Sequence, residues 1–402
     1  MAYGGQPQTL NTAAFGEVLI AEPTGEIQLE FPVNLSPELV NVTVASSGTV
    51  ISSPPFAVLS TGISATGSAA FLSQDRLHYR NGEGSMVLFT AVFNAGVDGS
   101  QQYVGFGDAF NGFFFGWNGS TFGILFRSSV YGANVSSITT VDTWIYQTSW
   151  NGDPFNGTGS SGVTLDPTKG NVYKIQIQWL GFGVLNFFIE NPNTGTLLQV
   201  HQIKYPNTFT NTSVLNPNLP IGATIKNTTN TTNLTMKVPC MAAFTEGLIY
   251  ANNIRYSAAG TNNGFVSDNL VLSIQNIYTF NGVANQKAVL PDFVSLWSNN
   301  NTNPVMYRFS LNPVLSTSSY LLVSAGTSVV QYYSPGNTRV TLSRQSNTRS
   351  IVYMTQGITG QVNLSLESFG IVLNPGDVLA ISVTSITAVT SVFSSLSWTE
   401  EF

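Results

Sequence analysis

The sequence predicts an all-β protein built from antiparallel β-sandwiches. Three observations carry this. Apolar and polar residues alternate with a period of two, most clearly in Tyr173-Lys174-Ile175-Gln176-Ile177-Gln178-Trp179. Windows with apolar residues at i, i+3, i+4 and i+7 are few, and the strong helix formers Glu, Lys and Arg are scarce. The segment Gly105 to Arg127, GFGDAFNGFFFGWNGSTFGILFR, holds seven Phe, one Trp and six Gly with a single acid, Asp108. That is material for a sandwich core, with nothing able to do acid–base chemistry unaided.

Taken in chain order, residues 1–83 read as strand segments interrupted by proline and serine, an N-terminal extended arm or small β-subdomain. Residues 84–267 read as the first sandwich. In it, Phe113-Phe114-Phe115-Gly116-Trp117 and Phe122-Gly123-Ile124-Leu125-Phe126 flank Asn118-Gly119, a pair suited to a tight hairpin turn of two to four residues because φ > 0 is needed there. Tyr173–Trp179, Val184–Ile189 and Leu197–Tyr205, separated by Gly181-Phe182-Gly183 and Asn191-Pro192-Asn193-Thr194-Gly195, predict a three-stranded meander. The Asn- and Thr-rich stretch 207–233 reads as a long loop at one end of the sandwich, and Ala258 to Gly264 as a hinge. Residues 268–402 read as a second β-sandwich domain, in which Leu396 to Phe402 is expected to be the last docked strand. Ser298 to Pro304 reads as a loop, and Leu373-Asn374-Pro375-Gly376-Asp377 as a turn.

Composition narrows the function classes. Only 8% of the 402 residues are charged, against about 25% in ordinary soluble domains, so the surface must be polar but largely uncharged. Net charge is −6, with 14 Lys and Arg and no basic cluster, which argues against a nucleic-acid groove. The N-terminus, MAYGGQPQTLN, is neither basic nor apolar, so no cleavable signal is expected. Val378 to Trp398 is 21 residues without charge, yet nine are Ser or Thr and the apolar residues alternate, so strands rather than membrane insertion are expected. The single cysteine, Cys240, excludes an internal disulfide and reads as a buried small hydrophobe. Sequons at Asn118, Asn211, Asn227, Asn230, Asn233 and Asn363 are too easily produced by this composition to mark glycosylation.

Few residues are available for chemistry. There are two histidines: His201 reads as a satisfied sandwich residue, and His78 as a local polar contact. No Gly-x-Ser-x-Gly, Walker or His-Glu-x-x-His motif occurs, and Glu400 and Glu401 would point to opposite faces of a strand. Asp108 with Asn111, and Asp153 with Asn151, could supply oxygen ligands to Ca²⁺, but both read better as turn-forming pairs. No enzyme, metal or cofactor is expected. Glycan contact is the rival function: Trp117 beside Asn118, and Trp150 near Asp153, combine an aromatic face with hydrogen-bonding side chains, the pair that sugar recognition needs. The four residues read otherwise as interface, and the two tryptophans read better as core or interface residues than as sugar contacts.

Three patches carry a resemblance. They are Gly105-Phe106-Gly107-Asp108 with Gly112 to Gly119 and Phe122-Gly123-Ile124; Leu165 to Lys169 with Gln178 to Gly183, His201 and Asn216 to Ile221; and Leu373 to Asp377 with Trp398 to Phe402. With Tyr79 to Gly84, they resemble virion structural proteins of large icosahedral DNA viruses and of phages. In that group a concanavalin-like or jelly-roll sandwich is followed by another β domain. The resemblance spans most of residues 75–402. It implies a virion location and a vertex (penton), minor capsid or spike role, with assembly into a trimer or pentamer and with other capsid proteins. It supplies no catalytic residue, and no Glu-x-Asp-x-x-Glu strand motif, which such a fold can host for glycoside hydrolysis, is present. The alternative is a lectin-like module that binds host surface glycans.

Overall fold

Strand pairing in the first half of the chain joins segments far apart in sequence. The computed structural model describes residues 22–131, 138–247, 254–264, 268–285, 287–299, 305–343, 349–355, 362–366, 369, 371–385 and 390–400. The first sandwich comprises β1 (Pro23–Glu30), β2 (Val40–Ala45), β3 (Thr49–Ser53), β4 (Phe56–Ser60), β5 (Ser68–Ser73), β6 (Gly84–Ala91), β7 (Ser100–Gly107), β8 (Gly112–Asn118), β9 (Thr121–Tyr131), β10 (Ile138–Tyr146), β11 (Asn171–Ile177), β12 (Leu185–Glu190), β13 (Leu197–Ile203), β14 (Ile221–Asn227), β15 (Thr235–Val238) and β16 (Cys240–Glu246). A seven-stranded sheet runs in the order β10-β9-β8-β7-β14-β5-β2, and a six-stranded sheet in the order β1-β16-β6-β11-β12-β13. A short sheet, β15-β4-β3, adjoins the latter through the bridge between Val92 and Lys237.

The alternation read from the sequence decides which faces meet. Phe113 and Phe115 of β8 and Phe122 and Ile124 of β9 share one core with Phe89 of β6 and Tyr173 of β11. The Phe115 ring lies 4.9 Å from that of Tyr173, which stacks on Phe89 at 5.3 Å. The outer face of the seven-stranded sheet is also partly apolar, with Tyr103, Phe114 and Leu125 buried there. Glycine makes this possible. A Cβ on Gly112 would meet the tip of the Phe114 ring at 2.6 Å, so the missing side chain leaves room for that ring. Arg127 covers the rings, its guanidinium 5.2 Å from that of Tyr103 and 5.7 Å from that of Phe114, and its Nε donates to Asp142 at 2.7 Å.

The hairpin and meander are present with small shifts. Asn118 pairs with Thr121, so the turn is Gly119-Ser120, with Gly119 at φ 61°. Strands β11, β12 and β13 are consecutive neighbours. Other expectations change. Residues 23–73 are integral to the sandwich rather than an arm: β1 pairs with β16, β2 with β5, and β5 with β14. Their partners lie up to about two hundred residues away, which local patterning does not reveal. The stretch 207–233 is not one loop, because β14 runs through it between β7 and β5; Ile221, Ala223 and Ile225 alternate inward despite the polar surroundings. Cys240 is exposed, not buried, because the strand alternation turns Met241 and Ala243 inward. Residues 1–21 lie outside the described residues, as do 300–304 of the Ser298–Pro304 loop and residues 401 and 402.

A second set of sheets holds a separate core around Val271, Tyr307, Ile381 and Trp398. Ile254–Gly264, Thr390–Glu400, Val289–Ser298 and Val362–Ser365 form a four-stranded sheet in that order. Leu321–Leu322, Val330–Tyr333, Asn269–Asn276, Val378–Ser385, Val305–Leu311 and Arg349–Thr355 form a six-stranded one. The expected hinge, Ala258 to Gly264, is therefore strand, paired along its length with Thr390–Glu400. It belongs with the second set of sheets, whereas the sequence reading placed it before residue 268. Small residues let it cross closely: a Cβ on Gly260 would lie 2.3 Å from the Val271 carbonyl oxygen. The turn at Leu373–Asp377 is as expected, with Gly376 at φ 99°. Among the described residues no helix is long and apolar enough to cross a membrane.

Candidate functional site

The two ends of the first sandwich differ in chemistry. At one end lies the β8–β9 hairpin, which we call the hairpin end. At the other, the segments 74–83, 108–111, 178–184 and 204–220 connect strands, which we call the loop end.

The four residues singled out by the sequence lie at the hairpin end and on the flank beside it. Trp117 is half-buried, packed edge-on to Phe122 at 5.3 Å, and its indole nitrogen has no hydrogen-bond partner. Asn118 donates to the Tyr146 hydroxyl at 3.0 Å and accepts from Gln101 at 3.0 Å. Trp150 is 7% exposed, edge-on to Phe115 at 6.0 Å, and its N–H donates to the Ile145 carbonyl at 3.2 Å. Asp153 is buried and accepts from the backbone N–H groups of Phe155 at 3.0 Å and Ser161 at 2.7 Å, and from the Ser160 hydroxyl at 3.2 Å. Burial alone would raise its pKa, but these donors hold it below the ordinary carboxylate value. Trp117 and Trp150 thus meet through Phe122, while Asp153 closes a turn of its own. In this conformation Trp150 offers no open ring face.

The segment around Trp150 seals a flank of the sandwich. Gly152 and Asp153 donate to Val200 and Gln199 along the free edge of β13 at 3.0 Å each. The Asn151 N–H donates to His201 Nδ1 at 3.2 Å, so that nitrogen is an unprotonated acceptor. Burial lowers the His201 pKa, which suits this role.

The loop end carries apolar groups held in the open. Phe110 is 48% exposed, Phe182 38% and Phe209 50%. Their loops are well tied. Asp108 accepts from the backbone N–H groups of Phe110 at 2.9 Å and Asn111 at 3.0 Å, and from Arg76 at 2.9 Å. The Phe110 carbonyl accepts from Ser129 Oγ at 2.5 Å, and Asn111 Oδ1 accepts from the Leu215 N–H at 3.1 Å. Ser213 donates through its backbone to Gly181 at 2.9 Å, joining the 178–184 hairpin to the long loop. Phe209 stacks on Tyr205 at 4.2 Å, and Phe182 lies 6.4 Å from the same ring. Asn207 and Asn211 stand exposed beside Phe209 in sequence. Two buried polar atoms here, Ser213 Oγ and Trp179 Nε1, have no partner.

Below this surface, Glu26 of β1 accepts from His78 through the backbone N–H at 3.2 Å, lies 3.3 Å from the His78 ring, and accepts from Thr245. Burial would raise the Glu26 pKa, but the hydrogen bonds and charge of His78 outweigh it and lower the value. The partner of His78 is therefore 52 residues away rather than local. In the second core Glu400 is fully buried. It accepts from Ser328 Oγ at 2.5 Å, the Val329 N–H at 2.9 Å and Trp398 Nε1 at 3.1 Å. Among the described residues no group of three or more His, Cys, Asp or Glu is placed to hold a metal ion.

Sequence reasoning missed the loop-end rings. Phe182 was read as a strand break and Phe209 as part of a polar loop. The only available signal was an aromatic residue inside a Gly- or Asn-rich connection.

No family model matches the chain, and no curated protein matches it. Among solved structures the chain is similar to the carbohydrate recognition domain of Emp47p (10% identity, covering 59% of this chain and 100% of that chain, TM-score 0.33). It is also similar to a legume lectin-like domain from Entamoeba histolytica (10%, 54% and 95%, TM-score 0.31). A third is endo-β-1,4-glucuronan lyase from the fungus Trichoderma reesei (10%, 57% and 98%, TM-score 0.34). At these identities and scores the likenesses assign neither a family nor an activity to the chain. The fold is an antiparallel β-sandwich followed by a second set of antiparallel sheets with a core of its own.

Proposed function

We propose that the chain is a non-catalytic carbohydrate-binding attachment module whose sugar-contacting surface is the loop end of the first sandwich. One observation carries the reading: Phe110, Phe182 and Phe209 are held exposed on loops whose backbone is hydrogen-bonded, beside exposed amide side chains. A sugar offers an apolar face of C–H groups and a rim of hydroxyls. Rings supply the first complement and amides the second, and prior ordering of the loops lowers the entropic cost of binding. Asp108, Glu26 and Glu246 at this end already accept protein donors, and Glu83 alone keeps a buried oxygen without a partner among the described residues, which favours binding over two-carboxylate turnover.

A glycan array with the purified chain tests this. Phe209→Ala and Phe182→Ala are expected to weaken a specific hit by about tenfold, on the order of 1.4 kcal/mol each. Trp117→Ala at the opposite end should leave affinity unchanged. Affinity untouched by both loop-end substitutions, or cleavage of the bound glycan, would sink the reading.

A second reading is a virion structural component, vertex, minor capsid or spike, acting by assembly with copies of itself and with other capsid proteins. It is supported by the low charge of the chain and by an exposed apolar flank of the first sandwich. The two readings coexist if the module sits on a particle surface.

A further inference from the structure

The two flanks of the first sandwich are not alike. One is closed by the segment around Trp150 and Phe155, both buried, with residues 152 and 153 hydrogen-bonded along the β13 edge. The other is bordered by β2. Val42 and Val44 pair across the sheet with Phe71 and Ala69, so all four point inward. Phe71 and Ala69 are fully buried, yet Val42 is 41% and Val44 50% exposed. Residues aimed at the core are therefore open to solvent along this flank. Beside them Val33 and Leu39 are also exposed, at the mouth of a cavity of about 240 Å³ that Leu29, Phe31 and Val40 help to line.

We propose that β2 is the pairing edge of a two-fold dimer, in which a second copy of this chain adds its own β2 antiparallel and closes the flank. Strand β2 reads Val-Asn-Val-Thr-Val-Ala. It carries no charge and no proline, and its register with β5 runs without a bulge. Those are the devices by which edge strands keep other strands away, and β2 has none of them. The sequence is also self-complementary. Antiparallel pairing centred on Thr43 sets Val42 opposite Val44 of the other copy on the inner face. On the outer face it sets Asn41 opposite Ala45. The nearest acid along the chain, Glu38, falls opposite Gly48, so no like charges meet. A two-fold axis also consumes the β2 edge of both copies, so pairing at this edge stops at the dimer.

The exposed parts of Val33, Leu39, Val42 and Val44 amount to about 300 Å² of apolar surface per copy, below the ~800 Å² per partner of a standard stable interface. About six main-chain hydrogen bonds add to it. The dimer is accordingly concentration-dependent rather than obligate.

Sedimentation of the full chain, from low micromolar to millimolar concentration, is the test. The expected result is a reversible monomer–dimer equilibrium. Val42→Lys combined with Val44→Lys should weaken it by at least about tenfold. At concentrations where both chains are monomeric the thermal midpoint should change little, because both positions are half-exposed. Should that variant fail to fold, hydrogen exchange on the wild-type chain decides. Amides of residues 40–45 gain protection with concentration if β2 pairs, and the idea is overturned if they do not. A chain monomeric throughout, a trimer or pentamer, or a dimer indifferent to the lysines also overturns it. None of these outcomes depends on glycan binding, so this proposal and the functional reading stand or fall separately.

Discussion

Trp150→Ala separates the two roles that the sequence leaves open for this residue. The indole is 7% exposed, packs edge-on against Phe115 and Phe122, and donates to the Ile145 carbonyl. A buried tryptophan removes about 200 Å² from water, which at about 25 cal/mol per Å² is ~5 kcal/mol as an upper bound. Loss of the N–H partner adds about 1 kcal/mol, and partial collapse of the site subtracts from the total. The expected destabilisation is about 3–5 kcal/mol, which lowers the melting midpoint of the first sandwich by about 10 °C. Fluorescence would mix the signals of the other tryptophans, so the assay is far-UV circular dichroism on heating, supported by a urea titration. Specific glycan binding by the folded variant, measured well below its midpoint, should match the wild type. A midpoint lowered by less than about 3 °C, or a selective loss of glycan binding without destabilisation, would refute the assignment of Trp150 to the flank seal.

Other consequences follow from buried polar groups. Glu400→Ala removes the acceptor of three buried donors, and leaving them unpaired should cost about 3 kcal/mol or more, seen as a lower urea midpoint for the second sandwich. Glu26 has a lowered pKa when folded, so its contribution is complete above its ordinary value of 4.5 and is lost as pH falls through the folded value; Glu26→Gln should flatten that acid limb of stability. His201 also has a lowered folded pKa, so the unfolded chain takes up the proton first and stability should decline as pH drops below 6.5. An NMR titration of His201 that shows a raised pKa would contradict this, and with it the acceptor role of Nδ1.

Much of the fold was legible because strand alternation is a local signal. Tyr173, Ile175 and Ile177 turn inward as their spacing requires, and the Phe-rich hairpin forms within one residue of its expected turn. What stayed hidden depends on distant partners. Nothing within residues 23–73 says that β1 pairs with β16 or that β5 lies against β14. Strand β14 was masked by Asn and Thr on both sides, although Ile221, Ala223 and Ile225 carry its pattern. The site was less legible than the fold for a related reason. Tryptophan draws attention as a stacking residue, but a large ring is also the best filler for a flank, and Trp150 serves there. The exposed rings are phenylalanines, whose exposure is fixed by loop hydrogen bonds such as Asp108 to Phe110 and Asn111 to Leu215, which composition does not show.

The two proposals together have a geometric consequence. Val40 lies at the loop end of the sandwich, opposite Ser73, and Ala45 toward the hairpin end, opposite Ser68. Antiparallel pairing of two β2 strands reverses the strand direction between copies. The loop end of one copy then points away from that of the other. Such a dimer gains no avidity on a single surface, because its two sites cannot face that surface together. It can instead bridge two surfaces. Beads coated with a glycan that the chain binds should therefore aggregate in the concentration range where the dimer forms. The Val42→Lys, Val44→Lys variant should coat the beads without joining them, and Phe209→Ala should need about tenfold more protein to coat them. Aggregation by the lysine variant equal to that of the wild type would show that bridging arises elsewhere. Steep avidity on one flat glycan surface would show that the two sites point the same way, which antiparallel pairing at β2 forbids.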